Sequence, residues 1–219
     1  MSTWKQARGR AAIWWQLVFT SRFQEWVRAG ARQLVVRLGL VRLTPNALTM
    51  IGMAITALGA LLVAAGWLIA GGVVLLLAGL FDILDGAVAR VTGKVYRYGA
   101  FLDSTVDRYA EGFTFIALLY HFLVGSLSAA HRIQAMLVIA ALLGSLLVSY
   151  IRARAQSLGF ACEGGLLARP ERVLMIVVGL IIPPFLFAVL LILAVGSNLT
   201  ALQRIWFVWQ QSRQTVPAE

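Results

Sequence analysis

From Asn46 to Ala70 the chain runs 25 residues without a charged side chain, long enough to cross the hydrocarbon core of a bilayer as a helix. Further apolar stretches follow at 73–89, 99–124, 132–158 and 173–209. The expected fold class is therefore an all-α integral membrane protein. Composition agrees, with 60% hydrophobic and 13% charged residues, where a soluble domain carries roughly 25% charged. The net charge of +10 would suit nucleic acid in a soluble chain. In so apolar a chain it reads as Lys and Arg held at an anionic cytosolic leaflet. Membrane lipids, and no nucleic acid, are the expected surroundings.

Three segments are expected. Residues 1–43 carry eight of the 19 Lys and Arg residues, interleaved with Trp4, Trp14, Trp15 and Trp26. On a helical wheel Phe23, Val27, Leu34 and Leu38 share a face opposite Glu25, Arg28 and Arg32, the pattern of an interfacial amphipathic helix. A partner-binding helix or a disordered basic arm is the alternative. Residues 44–210 form the membrane domain, and 211–219 a short cytosolic tail. The run Ala11–Phe19 is short and lacks a small-residue cleavage site, so it is not read as a signal peptide. The single cysteine, Cys162, is read as incidental.

Thr44-Pro45 marks a helix start, with Thr as N-cap and Pro in the first turn. Gly71-Gly72 is expected to break the chain before a second helix from Val73 to Ala89. A third helix is expected from about Gly99 to Val124, and a fourth from about Arg132 to Leu158. The stretch after Arg169-Pro170-Glu171-Arg172 is either one span or two helices parted at Pro183-Pro184. Six spans with both termini inside place 17 of the 19 basic residues on the cytosolic side. Five spans would put Arg204 and Arg213 outside, so the positive-inside rule favours six transmembrane helices.

Five of the nine acidic residues lie between positions 82 and 111. A carboxylate within the bilayer costs at least ~2.5 kcal/mol, so the cluster requires counter-charge. Asp82 and Asp85 are three apart and Asp103 and Asp107 four apart, so each pair shares a helical face. The short connection makes helices two and three expected antiparallel neighbours, so four carboxylates converge into an all-oxygen site for a hard cation. Gly86, Ala89 and Gly99 leave room beside them for a large ligand. Metal–phosphate chemistry is the leading interpretation, and a cation or proton transport pathway the alternative. Glu111 extends the second row and is expected to pair with Arg108. His121 and His131 fall far from the acids and are read as interfacial.

Residues 82–107 read Asp82-x2-Asp85-Gly86-x2-Ala89-Arg90-x8-Gly99-x3-Asp103-x3-Asp107. This resembles, position for position, the signature of the CDP-alcohol phosphotransferase family. The resemblance implies a six-helix membrane enzyme moving a phosphatidyl or similar group from a CDP-alcohol to a hydroxyl, with release of CMP. It implies two divalent ions, Mg²⁺ or Mn²⁺, on Asp82, Asp85, Asp103 and Asp107, with Asp107 also the general base. It implies a nucleotide pocket at Asn46, Gly86, Ala89, Arg90, Tyr96 and Gly99, where Tyr96 stands in place of a smaller hydroxyl residue. A homodimer is implied as well, while the count of basic residues is what places the acids at the cytoplasmic face.

Arg152, Arg154, Arg169, Arg172 and Arg204 form a second basic set, read either as positive-inside anchors or as a phosphate site. The strings Ser149-Tyr150-Ile151-Arg152-Ala153-Arg154-Ala155 and Arg169-Pro170-Glu171-Arg172 look like those of the phosphatidylinositol-phosphate synthase branch. That likeness implies CDP-diacylglycerol as donor and a phosphorylated polyol, inositol 1-phosphate first and glycerol 3-phosphate second, as acceptor held by these arginines.

Overall fold

The computed structural model of the chain describes residues 44–92, 96–124, 128–162 and 164–215, and of Arg90, Val91, Gln214 and Thr215 only the backbone. The interfacial helix expected within 1–43 lies outside the described residues. Among these there are six α-helices and no strand: α1 (Pro45–Ala64), α2 (Leu68–Thr92), α3 (Arg97–Val124), α4 (Ala129–Ser157), α5 (Arg169–Ile181) and α6 (Leu186–Thr215). A single 3₁₀ turn, Pro183–Phe185, separates α5 from α6. The Pro pair thus divides the last apolar stretch in two, because neither ring can continue the helix before it.

The segments Pro45–Ala64, Leu68–Ala89, Ala129–Ser157 and Pro183–Arg213 are each long and apolar enough to cross a membrane. The chain is a multi-pass membrane protein. α3 carries the acids in its first half, and α5 has only 13 residues, about 20 Å at 1.5 Å per residue. α6 continues past the expected end at 210, and Gln211 there exchanges two hydrogen bonds with the backbone of Ala161.

Thr44 caps α1 as expected, its hydroxyl accepting from the Ala47 N–H at 3.3 Å. The break after α1 is not where Gly71-Gly72 suggested. The helix stops at Ala64, and Gly66 takes φ +87°, a conformation open to glycine at little cost. The Gly66 N–H bonds to the Val63 carbonyl and the Trp67 N–H to the Leu62 carbonyl, closing the helix end. Gly71 and Gly72 lie inside α2 and are buried. A Cβ on Gly71 would stand 2.9 Å from the Gly59 carbonyl oxygen on α1, so the pair serves close helix packing and not a turn.

Each helix packs chiefly on two others, in the ring order α1–α2–α5–α6–α4–α3. The interior is filled by one apolar cluster drawing on all six helices, including Val63, Leu75, Phe115, Leu118, Val138, Ile176, Leu180 and Leu190. A smaller cluster, Leu48, Leu84, Ala87 and Val88, bonds the start of α1 to the end of α2. The ring order has one consequence for the acids. α2 and α3 are successive in sequence yet barely touch, because α1 packs against both. Gly71→Ala is expected to cost about 1–3 kcal/mol by overpacking, seen as earlier thermal unfolding in detergent. Gly79→Ala, where a Cβ would meet nothing within 4 Å, should not lower the midpoint.

Candidate active site

Asp82 and Asp85 lie one turn apart toward the end of α2, and Asp103 and Asp107 one turn apart near the start of α3. The expectation that these helices pack directly is corrected: α1 joins them, and the carboxylates face one another across the opening that remains. One oxygen from each of Asp82, Asp85 and Asp103 lies within 4.8 Å of the others. At that separation two carboxylates repel by about 3.5 kcal/mol at an effective dielectric constant of 20. The spacing is about twice a metal–oxygen bond to a hard divalent ion, and three carboxylate donors suit such an ion. These residues therefore fit a divalent cation on both counts.

Asp107 stands beside this triad and is buried, at 8% exposure. Its Oδ1 pairs with the Arg169 guanidinium. The same guanidinium donates to Asp82 Oδ2 at 3.0 Å, so one arginine from the first turn of α5 bridges both acid-bearing helices. Asp107 Oδ2 lies 3.7 Å from Arg108. A cavity of about 70 Å³ runs inward from these groups between α1, α2, α3 and α5, lined among others by Thr49, Asp82, Asp85, Asp107, Glu111 and Arg169.

Glu111 does not pair with Arg108 as expected. It is 5% exposed and accepts from Arg172 Nε at 3.0 Å and Arg172 NH2 at 3.4 Å. The Ser145 hydroxyl also donates to it. Arg108 instead reaches the Ser149 hydroxyl on α4. Two ion pairs thus cross the ring between α3 and α5: Asp107 with Arg169 at the cavity, and Glu111 with Arg172 one turn deeper.

The arginine set divides on burial. Arg172 is 1% exposed and also donates to the Leu167 carbonyl at 3.2 Å. Arg204 is 4% exposed and binds the carbonyls of Gly164 and Val148. Both guanidiniums are engaged within the protein. Arg152 and Arg154 are exposed at the end of α4, and Arg169 keeps 28% of its side-chain surface. Among the residues expected at a nucleotide, a Cβ on Gly99 would come within 3.3 Å of Asn46 Oδ1, so α1 and α3 begin side by side. Gly86 and Ala89 are half-buried on α2, and Tyr96 is exposed. Arg90 lies on α2, and its side chain is outside the described atoms.

Sequence reasoning missed Thr49, whose hydroxyl donates to Asp85 Oδ2 at 2.7 Å. It follows Asn46 by three residues, a spacing that places both on one helical face and could have found it. Ser145 and Ser149 carry no comparable signal, since only the packing of α4 on α3 turns them toward Glu111 and Arg108.

The family model for CDP-alcohol phosphatidyltransferases matches residues 42–209. The chain belongs to this family. The archaetidylinositol phosphate synthase of Methanothermobacter thermautotrophicus is 39% identical over 132 residues, 58% of this chain and 63% of that protein. The chain thus spans about three fifths of the length of this curated relative, as it does of the phosphatidylinositol phosphate synthase of Mycobacterium tuberculosis, at 60%. A crystal structure of the Mycobacterium tuberculosis phosphatidylinositol phosphate synthase with CDP-DAG bound superposes with a TM-score of 0.72 at 36% identity, covering 84% of this chain and 93% of that one. The same enzyme in complex with manganese and citrate gives 0.73 at 35% identity, covering 83% and 88%.

The deeper ion pair makes a separable prediction. Arg172→Met alone leaves Glu111 buried and unmatched, and should destabilise the protein by about 3–5 kcal/mol. Glu111→Leu with Arg172→Met should recover most of that loss, checked by thermal unfolding of both variants in the same detergent.

Proposed function

We propose that this chain transfers a phosphatidyl group from CDP-diacylglycerol to the hydroxyl of a phosphorylated polyol, inositol 1-phosphate first, with release of CMP. The observation that carries this reading is the triad Asp82, Asp85 and Asp103 with Asp107 beside it, in a chain similar to an enzyme crystallised with CDP-DAG. Two divalent ions, Mg²⁺ or Mn²⁺, on the four aspartates would neutralise charge on the attacking and leaving oxygens of an in-line displacement.

In this scheme Asn46, Gly86, Ala89, Arg90, Tyr96 and Gly99 receive the nucleotide, with the closeness of Gly99 to Asn46 supporting a shared pocket between α1 and α3. The acceptor oxygen attacks the phosphorus bonded to the diacylglycerol oxygen. Its proton passes to the Asp107 carboxylate, and the pyrophosphate bridge breaks to give CMP. Arg169 is the arginine best placed for the acceptor phosphate, since it is part-exposed and already at the acids. Arg152 and Arg154 extend the basic surface outward. Arg172 and Arg204 shape this pocket from beneath, through the loop carbonyls of Leu167 and Gly164.

The proposed arrangement in the membrane is six crossings, with the active site and both termini cytoplasmic. The distribution of Lys and Arg supports it. A homodimer is the assembly proposed. Purified protein given CDP-diacylglycerol, Mg²⁺ and a panel of inositol 1-phosphate, glycerol 3-phosphate, inositol and serine should release CMP fastest with inositol 1-phosphate. Absence of CMP with every acceptor would defeat the enzymatic reading. Chelation should stop turnover and added Mg²⁺ or Mn²⁺ restore it. Asp107→Asn should reduce CMP release by about 10²- to 10⁴-fold, the range for losing a general base.

A further inference from the structure

Asp85 is the most enclosed member of the acid triad, at 6% exposure. Its carboxylate is flanked on two sides by like charge, Asp82 one turn before it on α2 and Asp103 across the opening. Of the arginines described at the site, Arg169 pairs with Asp82 and Asp107, and Arg108 with Asp107.

Among the described side chains, the Thr49 hydroxyl reaches it, 2.7 Å from Asp85 Oδ2. The same hydroxyl lies 3.1 Å from the Pro45 carbonyl. It has one proton for two acceptors, and the shorter contact, to a group that can be ionised, is the stronger claim on it. Thr49 is itself only 8% exposed. Its backbone is held by the first turns of α1, which Leu48 packs onto Leu84 and Val88 of α2. The β-branched side chain has few rotamers to choose from in a helix. The hydroxyl is therefore a rigid donor, placed by α1, on a carboxylate carried by α2.

We propose that Thr49 is a positioning residue for the divalent cation: by holding Asp85 Oδ2 it keeps the carboxylate turned toward Asp82 and Asp103, and so sets the affinity of the triad for metal. This rests on the metal-dependent reading above and goes beyond it, because Thr49 is outside the Asp82–Asp107 signature and acts through Asp85. Partners that orient a ligating carboxylate characteristically govern metal affinity in this way.

The test is Mn²⁺ titration of the full chain in detergent, followed by the loss of the free Mn²⁺ electron paramagnetic resonance signal, for wild type, Thr49→Val, Thr49→Ser and Asp85→Asn. Valine keeps the shape and removes the hydroxyl, whereas serine keeps the hydroxyl. Thr49→Val should raise the Mn²⁺ half-saturation concentration by about 10- to 100-fold, with Thr49→Ser within about threefold of wild type on the same argument. At saturating Mn²⁺, CMP release by Thr49→Val should return to within about threefold of wild type, as expected when the loss is in metal affinity. Wild-type affinity in Thr49→Val, or equal weakening in valine and serine variants, would overturn the proposal. Wild-type protein that takes up no Mn²⁺, indistinguishable from Asp85→Asn, would overturn the metal reading and this inference with it.

Discussion

A carboxylate among apolar helices has to be met by a cation or a donor within contact distance, because lipid offers no water to screen it. This chain places five acids between residues 82 and 111, and much of its remaining architecture answers that constraint. Arg169 bridges Asp82 and Asp107. Arg172 meets Glu111 one turn deeper, and Thr49 meets Asp85. Each contact comes from a different helix than the acid it serves, so satisfying the acids also ties α1, α2, α3 and α5 together. Among the described residues, the triad Asp82, Asp85 and Asp103 makes one ion pair, that of Arg169 with Asp82. That is the state expected of a site whose balance is completed by a divalent ion.

The ring of helices gives the site its opening. Were α2 and α3 in direct contact, as their short connection suggests, the carboxylates would be pressed together and closed off. α1 instead packs on both, helped by Gly59 and Gly71 where the α1 and α2 backbones approach. The loop after α4 is secured in turn by Arg204 on the Gly164 carbonyl, Gln211 on Ala161, and the Ala168 N–H donating to Glu171 Oε2 at 2.6 Å. These contacts fix where α5 begins, and hence where Arg169 can reach. Arg204 is thus an anchor of this loop.

Legibility in the sequence followed the range of the forces involved. The Thr44-Pro45 start and the Pro183-Pro184 break were readable because capping and the missing proline N–H act within a few residues. The acid spacing was readable because helical periodicity is local. Gly71-Gly72 misled for the opposite reason: a glycine pair marks either a turn or a close helix contact, and only the neighbour, here Gly59, distinguishes them. Glu111 was paired with Arg108 by its nearness in sequence. The fold gave it Arg172, 61 residues away, because a buried guanidinium aimed across the ring can make two hydrogen bonds to it.

By itself, the sequence determined the membrane-embedded helical class and the acid signature at residues 82–107. Both follow from composition and local spacing, which no packing arrangement can change. The tertiary structure decided which acids come together, which arginines are engaged within the protein, and that a threonine on α1 donates to Asp85. Those depend on distances between helices far apart in the chain, set by how six apolar surfaces close into a ring.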